Sequence, residues 1–120
     1  MRIKITGTNL GTSPALIEHA ESRVRSALER FGRHVKRVTV RFTDINGGRG
    51  GEDKVCSLSV TLHRLGTTEV ESMGSDAYGV VERASAKMKL VLSRKLERHQ
   101  ERRLSLRSRL ARFWATPRPT

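Results

Sequence analysis

Cysteine, proline, aromatic and acidic residues are all scarce in this 120-residue chain, and each scarcity removes a class of explanation. Cys56 stands alone, which excludes an intramolecular disulfide and a cysteine-based zinc site and fits a reducing compartment. It lies among alternating apolar residues with no activating neighbours, where a free cysteine packs as a small hydrophobe. Aromatic side chains make up 4% of the chain, too few for a base-stacking platform along a single strand. No apolar run approaches the ~20 residues that span a bilayer. The N-terminal Met1-Arg2-Ile3-Lys4-Ile5 alternates instead of forming the apolar core of a signal peptide, so a soluble, cytoplasmic protein with no membrane partner is expected.

Catalytic groupings are equally absent from the pattern. His19, His34, His63 and His99 are scattered without metal-ligand spacing, and no Ser/His/Asp or Cys/His grouping can be argued from position. The glycine-rich run Asn46-Gly47-Gly48-Arg49-Gly50-Gly51 lacks the Gly-Lys-Ser/Thr ending of a phosphate-binding loop and joins two strand patterns, as a hairpin connection does. The expectation is a non-enzyme with no catalytic residues, metal site, cofactor or small-molecule substrate.

Positive charge is what the chain has in excess. Twenty-four Lys and Arg against 12 Asp and Glu give a formal charge of +12 and a pI near 11.4, so polyanions are attracted and nucleic acid is the first partner to consider. Residues 1–78 carry a net +3 and residues 79–120 a net +9, which puts most of the field in the C-terminal third.

Hydrophobic periodicity orders the chain. Ile3 and Ile5 alternate with Arg2, Lys4 and Thr6, the period-2 pattern of a half-buried strand. Gly7 to Gly11 turns the chain, and Thr12-Ser13-Pro14 opens a helix, with a hydroxyl cap and a proline at the first helical position. Ile17, Ala20, Val24, Ala27, Leu28 and Phe31 form its apolar stripe, and Gly32 ends it. Val38, Val40 and Phe42 mark a second strand, with Arg37 and Arg41 outward; Cys56, Leu58, Val60 and Leu62 mark a third; Thr68–Met73 is a weaker fourth. Ser75 or Asp76 caps a second helix whose stripe is Ala77, Val81, Ala84, Met88 and Leu92.

The order β-α-β-β-β-α implies an α+β fold: a four-stranded, mainly antiparallel sheet, consecutive strands most simply joined antiparallel, with two helices on one face. One domain is expected over residues 1–98. Residues 99–120 read as a basic extension, helical in part or disordered, ended by Pro117 and Pro119.

The candidate contacts are cationic. Arg83, Lys87, Arg94 and Arg98 are spaced by 4, 7 and 4 residues, within about a 60° arc of the second helix. Few carboxylates accompany this ridge, which points to phosphate rather than to a merely solvated face. Arg23, Arg30 and Arg33 lie on one flank of the first helix, with Lys36 and Arg37 just beyond its end. Together they would make a two-helix basic surface.

The residues Ile3-Lys4-Ile5-Thr6-Gly7, Ser13-Pro14-Ala15-Leu16, Phe31 and Asp76-Ala77-Tyr78, with Lys87 at a basic position of the second helix, resemble the ribosome hibernation-promoting factor and ribosome-associated inhibitor family. This family is also called protein Y-like or sigma-54 modulation protein, and the chain looks like a divergent short form of it over about residues 2–98. The resemblance implies a fold similar to double-stranded RNA-binding domains and a role in translation regulation during stress or stationary phase. It implies binding to small-subunit, 16S-type rRNA in the channel for messenger and transfer RNA, with a second hibernation factor as a further candidate partner. Carried over, the contacts are Arg23, Arg30 and Arg33, then Arg83, Lys87, Arg94 and Lys95. The chain departs from the family at Leu90-Val91, where a polar Arg-Gln pair is usual, and its basic tail does not resemble the family's C-terminal dimerisation domain. A different reading makes Leu104, Leu106, Leu110, Phe113 and Trp114 a protein-docking segment of a regulatory module.

Overall fold

The computed structural model describes residues 1–8, 13–44 and 54–115, with side chains for 1–7, 13–44 and 54–111. The glycine-rich segment 46–51, with Arg49, and the prolines at 117 and 119 lie outside the described residues, as do the side chains of Phe113 and Trp114. Two compact units divide the chain, residues 1–90 and 91–120.

In the first unit the chain runs β1 (Arg2–Thr8), α1 (Pro14–Leu28), a 3-10 turn (Glu29–Phe31), β2 (Val35–Asp44), β3 (Lys54–Leu62), β4 (Gly66–Gly74) and the start of α2 (Ala77–Ala115). The strands form one sheet in the order β1-β2-β3-β4. The β-α-β-β-β-α order and the α+β class are those expected from sequence. The β2–β3 and β3–β4 pairs are antiparallel, but β1 runs parallel to β2, with Ile3 beside Val38 and Ile5 beside Val40. The simplest antiparallel joining therefore fails at this pair. A parallel neighbour needs a crossover of a dozen or more residues, and α1 supplies it.

One sheet face is buried and the other is not. Val38, Val40, Phe42, Cys56, Leu58, Val60 and Leu62 are fully or almost fully buried, with Val70 of β4 beside them. Leu16, Ala20, Val24 and Leu28 of α1 and Val80, Val81, Ala84 and Met88 of α2 complete this core. Both helices must then cover the same face. Each aliphatic side chain buried this way contributes on the order of 1.5–3 kcal/mol. The α1 stripe is rotated slightly from its expected position: Leu16 is buried and Ile17 is 37% exposed. Tyr78 is 38% exposed and meets the His19 ring edge-on at 4.8 Å.

Caps and a bulge set the element boundaries. Ser13 Oγ accepts from Leu16 N at 3.1 Å and Pro14 follows as the first helical residue, so α1 begins where two independent signals coincide. Asp76 caps α2, accepting from the N–H groups of Tyr78 and Gly79 at 3.2 and 3.3 Å. In β2 the register shifts between Val35 and Arg37. A bulge changes the alternation by one, so Val35 and Val38 both point inward while Lys36 and Arg37 are both exposed.

In the second unit α2 continues from Val91 to Ala115. Leu92 is fully buried, and residues 100–111 are all exposed. No helix among the described residues is long and apolar enough to cross a membrane.

Candidate nucleic-acid interface

The cations expected at the interface fall into several separate settings. Arg23 projects from α1 toward α2, where Glu82 Oε1 lies 3.4 Å from its Nη2 and 3.6 Å from His19 Nε2. Both partners are about half exposed, so this is a surface pair worth at most about 1 kcal/mol, but it partly neutralises Glu82. Arg30 lies over the Phe31 ring at 5.0 Å from its centroid, which holds the guanidinium against the end of the helix. Arg33 and Lys36 are exposed on the turn and bulge that lead into β2.

Arg83 and Lys87 occupy the other flank of α2. Arg83 Nη2 donates to the Met73 carbonyl and Lys87 Nζ to the Glu71 carbonyl, each at 2.9 Å. The match is geometric: four helical residues rise about 6 Å, and two strand residues advance about 6.7 Å. One turn of helix thus reaches two successive outward carbonyls of an edge strand. Edge strands expose unpaired backbone groups that invite pairing with another chain, and these two cations cover them. Gly74 makes room for the arrangement, because a Cβ there would overlap the Arg83 guanidinium and press on Val80. Both cations keep donors to spare, four N–H groups on Arg83 and two on Lys87. The pair is therefore held in place by the fold while remaining exposed.

Arg37 stands elsewhere again. It is on the open sheet face, paired in register with Arg2. Lys4 and Arg41 lie on the same face, in the next rows of β1 and β2. The sequence pattern places these side chains outward on their own strands, but only the parallel pairing gathers them into one patch. Arg2, Lys4 and Arg41 are cations that the helix-centred reading omits.

Arg94, Lys95 and Arg98 belong to the second unit. Arg94 and Arg98 are exposed, and Arg98 Nε donates to the Arg94 carbonyl at 3.4 Å. Leu90, the first residue of the departure from the family pattern, is 52% exposed.

No group of side chains suited to holding a metal ion is found among the described residues. Burial pushes the Cys56 thiol up to about 12, so it is protonated at neutral pH and a poor nucleophile.

Solved structures with a similar fold include the following two. A ribosomal subunit interface protein from Coxiella burnetii is 22% identical, with 81% of this chain and 99% of that one covered and a TM-score of 0.69. The N-terminal domain of Protein Y from Thermus thermophilus is 21% identical, with 78% and 98% covered and a TM-score of 0.63. No curated protein matches the sequence significantly. The family model described as "Sigma 54 modulation protein / S30EA ribosomal protein" matches residues 3–103. Covering most of the chain, and with the same strand and helix order in the solved folds, that match makes this protein a member of the sigma 54 modulation protein / S30EA ribosomal protein family.

Proposed function

We propose that this protein is a ribosome-associated translation inhibitor of the hibernation type, acting in the cytoplasm of stressed or stationary cells. It binds small-subunit, 16S-type rRNA in the channel for messenger and transfer RNA, and a second hibernation factor is a candidate partner there. Residues 1–98 form the ribosome-binding domain and residues 99–120 a basic extension. Family membership and the names of the two structural relatives, a ribosomal subunit interface protein and a Protein Y domain, support the ribosome as the target.

The observation that carries the RNA-binding part is the pair Arg83 and Lys87. Each is anchored by one hydrogen bond to β4 and presents its remaining donors to solvent, which lowers the ordering cost of a phosphate contact. Arg23, Arg30, Arg33 and Lys36 supply further contacts from α1 and its exit, Arg37 from β2, and Arg94, Lys95 and Arg98 from later turns of α2. Attraction to phosphates supplies affinity, and the shape of the helical surface selects a folded RNA. No catalytic step is required.

The test is co-sedimentation with isolated small subunits. Arg83→Ser/Lys87→Ser/Arg94→Ser is expected to weaken binding roughly 100-fold, if each lost charge-assisted contact is worth about 1 kcal/mol. A thermal melt run in parallel separates this from loss of the β4 contacts. Binding that is unchanged in a folded triple variant would reject the helix surface as the interface.

A second reading has its own observation: Leu104, Leu106 and Leu110 are 48–57% exposed on the second unit. They suit a protein-docking segment. Deleting residues 100–120 abolishes function on that reading and leaves subunit binding largely intact on the first.

A further inference from the structure

The open face of the sheet is graded in charge from one edge to the other. Across the rows of the sheet, Arg2 is followed by Arg37, Thr61 and Thr67; Lys4 by Thr39, Ser59 and Glu69; Thr6 by Arg41, Ser57 and Glu71. The cations are confined to β1 and β2 and the carboxylates to β4, while hydroxyls occur on all four strands and fill the β3 positions. Arg2, Lys4, Arg37 and Arg41 are all exposed, and none of them has an ion-pair partner among the described residues. Arg2 and Arg37 are direct cross-strand neighbours. Like charges so placed repel one another and destabilise the pair, so the protein maintains an arrangement that a bound anion would relieve.

We propose that Arg2, Lys4, Arg37 and Arg41 form a second RNA-binding track, distinct from the helix surface, that takes the sugar-phosphate backbone. The cations occupy three consecutive rows, each about 6.7 Å from the next along the strands. That step is comparable to the spacing of successive phosphates in a nucleic-acid strand. Beside them lies a shallow depression of about 430 Å³ lined by Arg2, Lys4, Arg37, Thr39 and Ser59 among others. A second, of about 120 Å³, shares Thr39 and Ser59 and reaches Arg41. The hydroxyls can donate to phosphate oxygens or exchange hydrogen bonds with ribose 2′-OH groups. Glu69 and Glu71 repel phosphate from the far edge and so confine the strand to the β1–β2 side.

The chemistry favours RNA over other polyanionic surfaces. These rows carry no aromatic anchor, and the apolar pair Val55 and Met73 lies in the next row toward the end of the sheet. A protein interface would need a buried apolar centre, and a membrane surface an insertable one. Without aromatics the track reads no bases, and its binding is independent of sequence. With the helices covering the opposite face, a protein carrying both surfaces can be held between two RNA segments. The track itself does not depend on the helix-surface reading.

The experiment is a salt titration of the full chain with an unstructured single-stranded RNA oligonucleotide. For single strands each lost phosphate contact lowers the slope of log K against log salt by about 0.7. Arg2→Ser/Lys4→Ser/Arg37→Ser/Arg41→Ser is expected to lower it by about 2–3, while Arg37→Lys/Arg41→Lys keeps it. The quadruple variant should melt no lower than the parent, since it removes repulsion. An unchanged slope overturns the track. So does tighter binding of a charge-matched acidic peptide than of RNA through the same four side chains, which would assign the face to a protein. Running Arg83→Ser/Lys87→Ser/Arg94→Ser in parallel keeps the two surfaces apart. Loss of small-subunit binding in that variant, with an unchanged slope in the quadruple one, removes the track and leaves the helix surface standing; the reverse result does the opposite.

Discussion

Gly74 and Cys56 show how single positions constrain this molecule. An alanine at 74 would drive its methyl group into the guanidinium of Arg83 and against Val80, so Gly74→Ala is expected to cost about 1–3 kcal/mol. A denaturation midpoint measures that loss, and weaker RNA binding should accompany it because Arg83 is displaced. Cys56 is fully buried in β3, and its thiol pKa rises from 9.0 to about 12. The folded state keeps its proton where the unfolded chain has released it, so the stability contribution is intact below about pH 9 and declines as pH climbs toward 12. A thiol reagent at pH 8 should leave the native protein unmodified and label it fully in denaturant. The alternating neighbours of Cys56 make its burial legible in the sequence. The demand on Gly74 is not, because the clash involves a side chain from a helix that begins three residues later.

Elements carry the next set of consequences. Ser13→Ala removes the α1 cap and should cost about 1 kcal/mol, read from a melting curve. Glu82 ties α1 to α2 through Arg23 and competes with any phosphate for that guanidinium. Glu82→Gln is therefore expected to change stability by less than about 1 kcal/mol and to raise RNA affinity at low salt, measured by fluorescence anisotropy. Periodicity located β1, α1, β2, β3 and α2, since apolar positions at steps of two and of three or four have only one good explanation each, whereas β4, which offers Val70 alone to the core, gave a weaker signal. The parallel β1–β2 pair was not legible in the same way: a half-buried strand alternates identically whichever way its neighbour runs. Yet a strand, a 15-residue helix and another strand make a crossover unit, and that length was the available signal for bringing Arg2 and Lys4 beside Arg37 and Arg41. The β4 contacts of Arg83 and Lys87 have no sequence signature, because their acceptors are main-chain carbonyls that any residue could offer.

At the scale of the molecule, a charge of +12 dominates and salt is the lever that reveals it. The charge is not one patch. Arg83 and Lys87 flank β4, Arg23 is partly met by Glu82, and four cations sit on the open sheet face. A basic sequence alone predicts nonspecific attraction to any RNA; separately placed and partly anchored cations predict selection of one folded surface. The measurement that tests this most directly is binding to separated small and large ribosomal subunits at low and at near-physiological salt. The account predicts that affinity for the small subunit falls steeply with salt yet stays well above that for the large subunit at both concentrations. Equal affinity for the two subunits, or a small-subunit affinity that does not respond to salt, would contradict it.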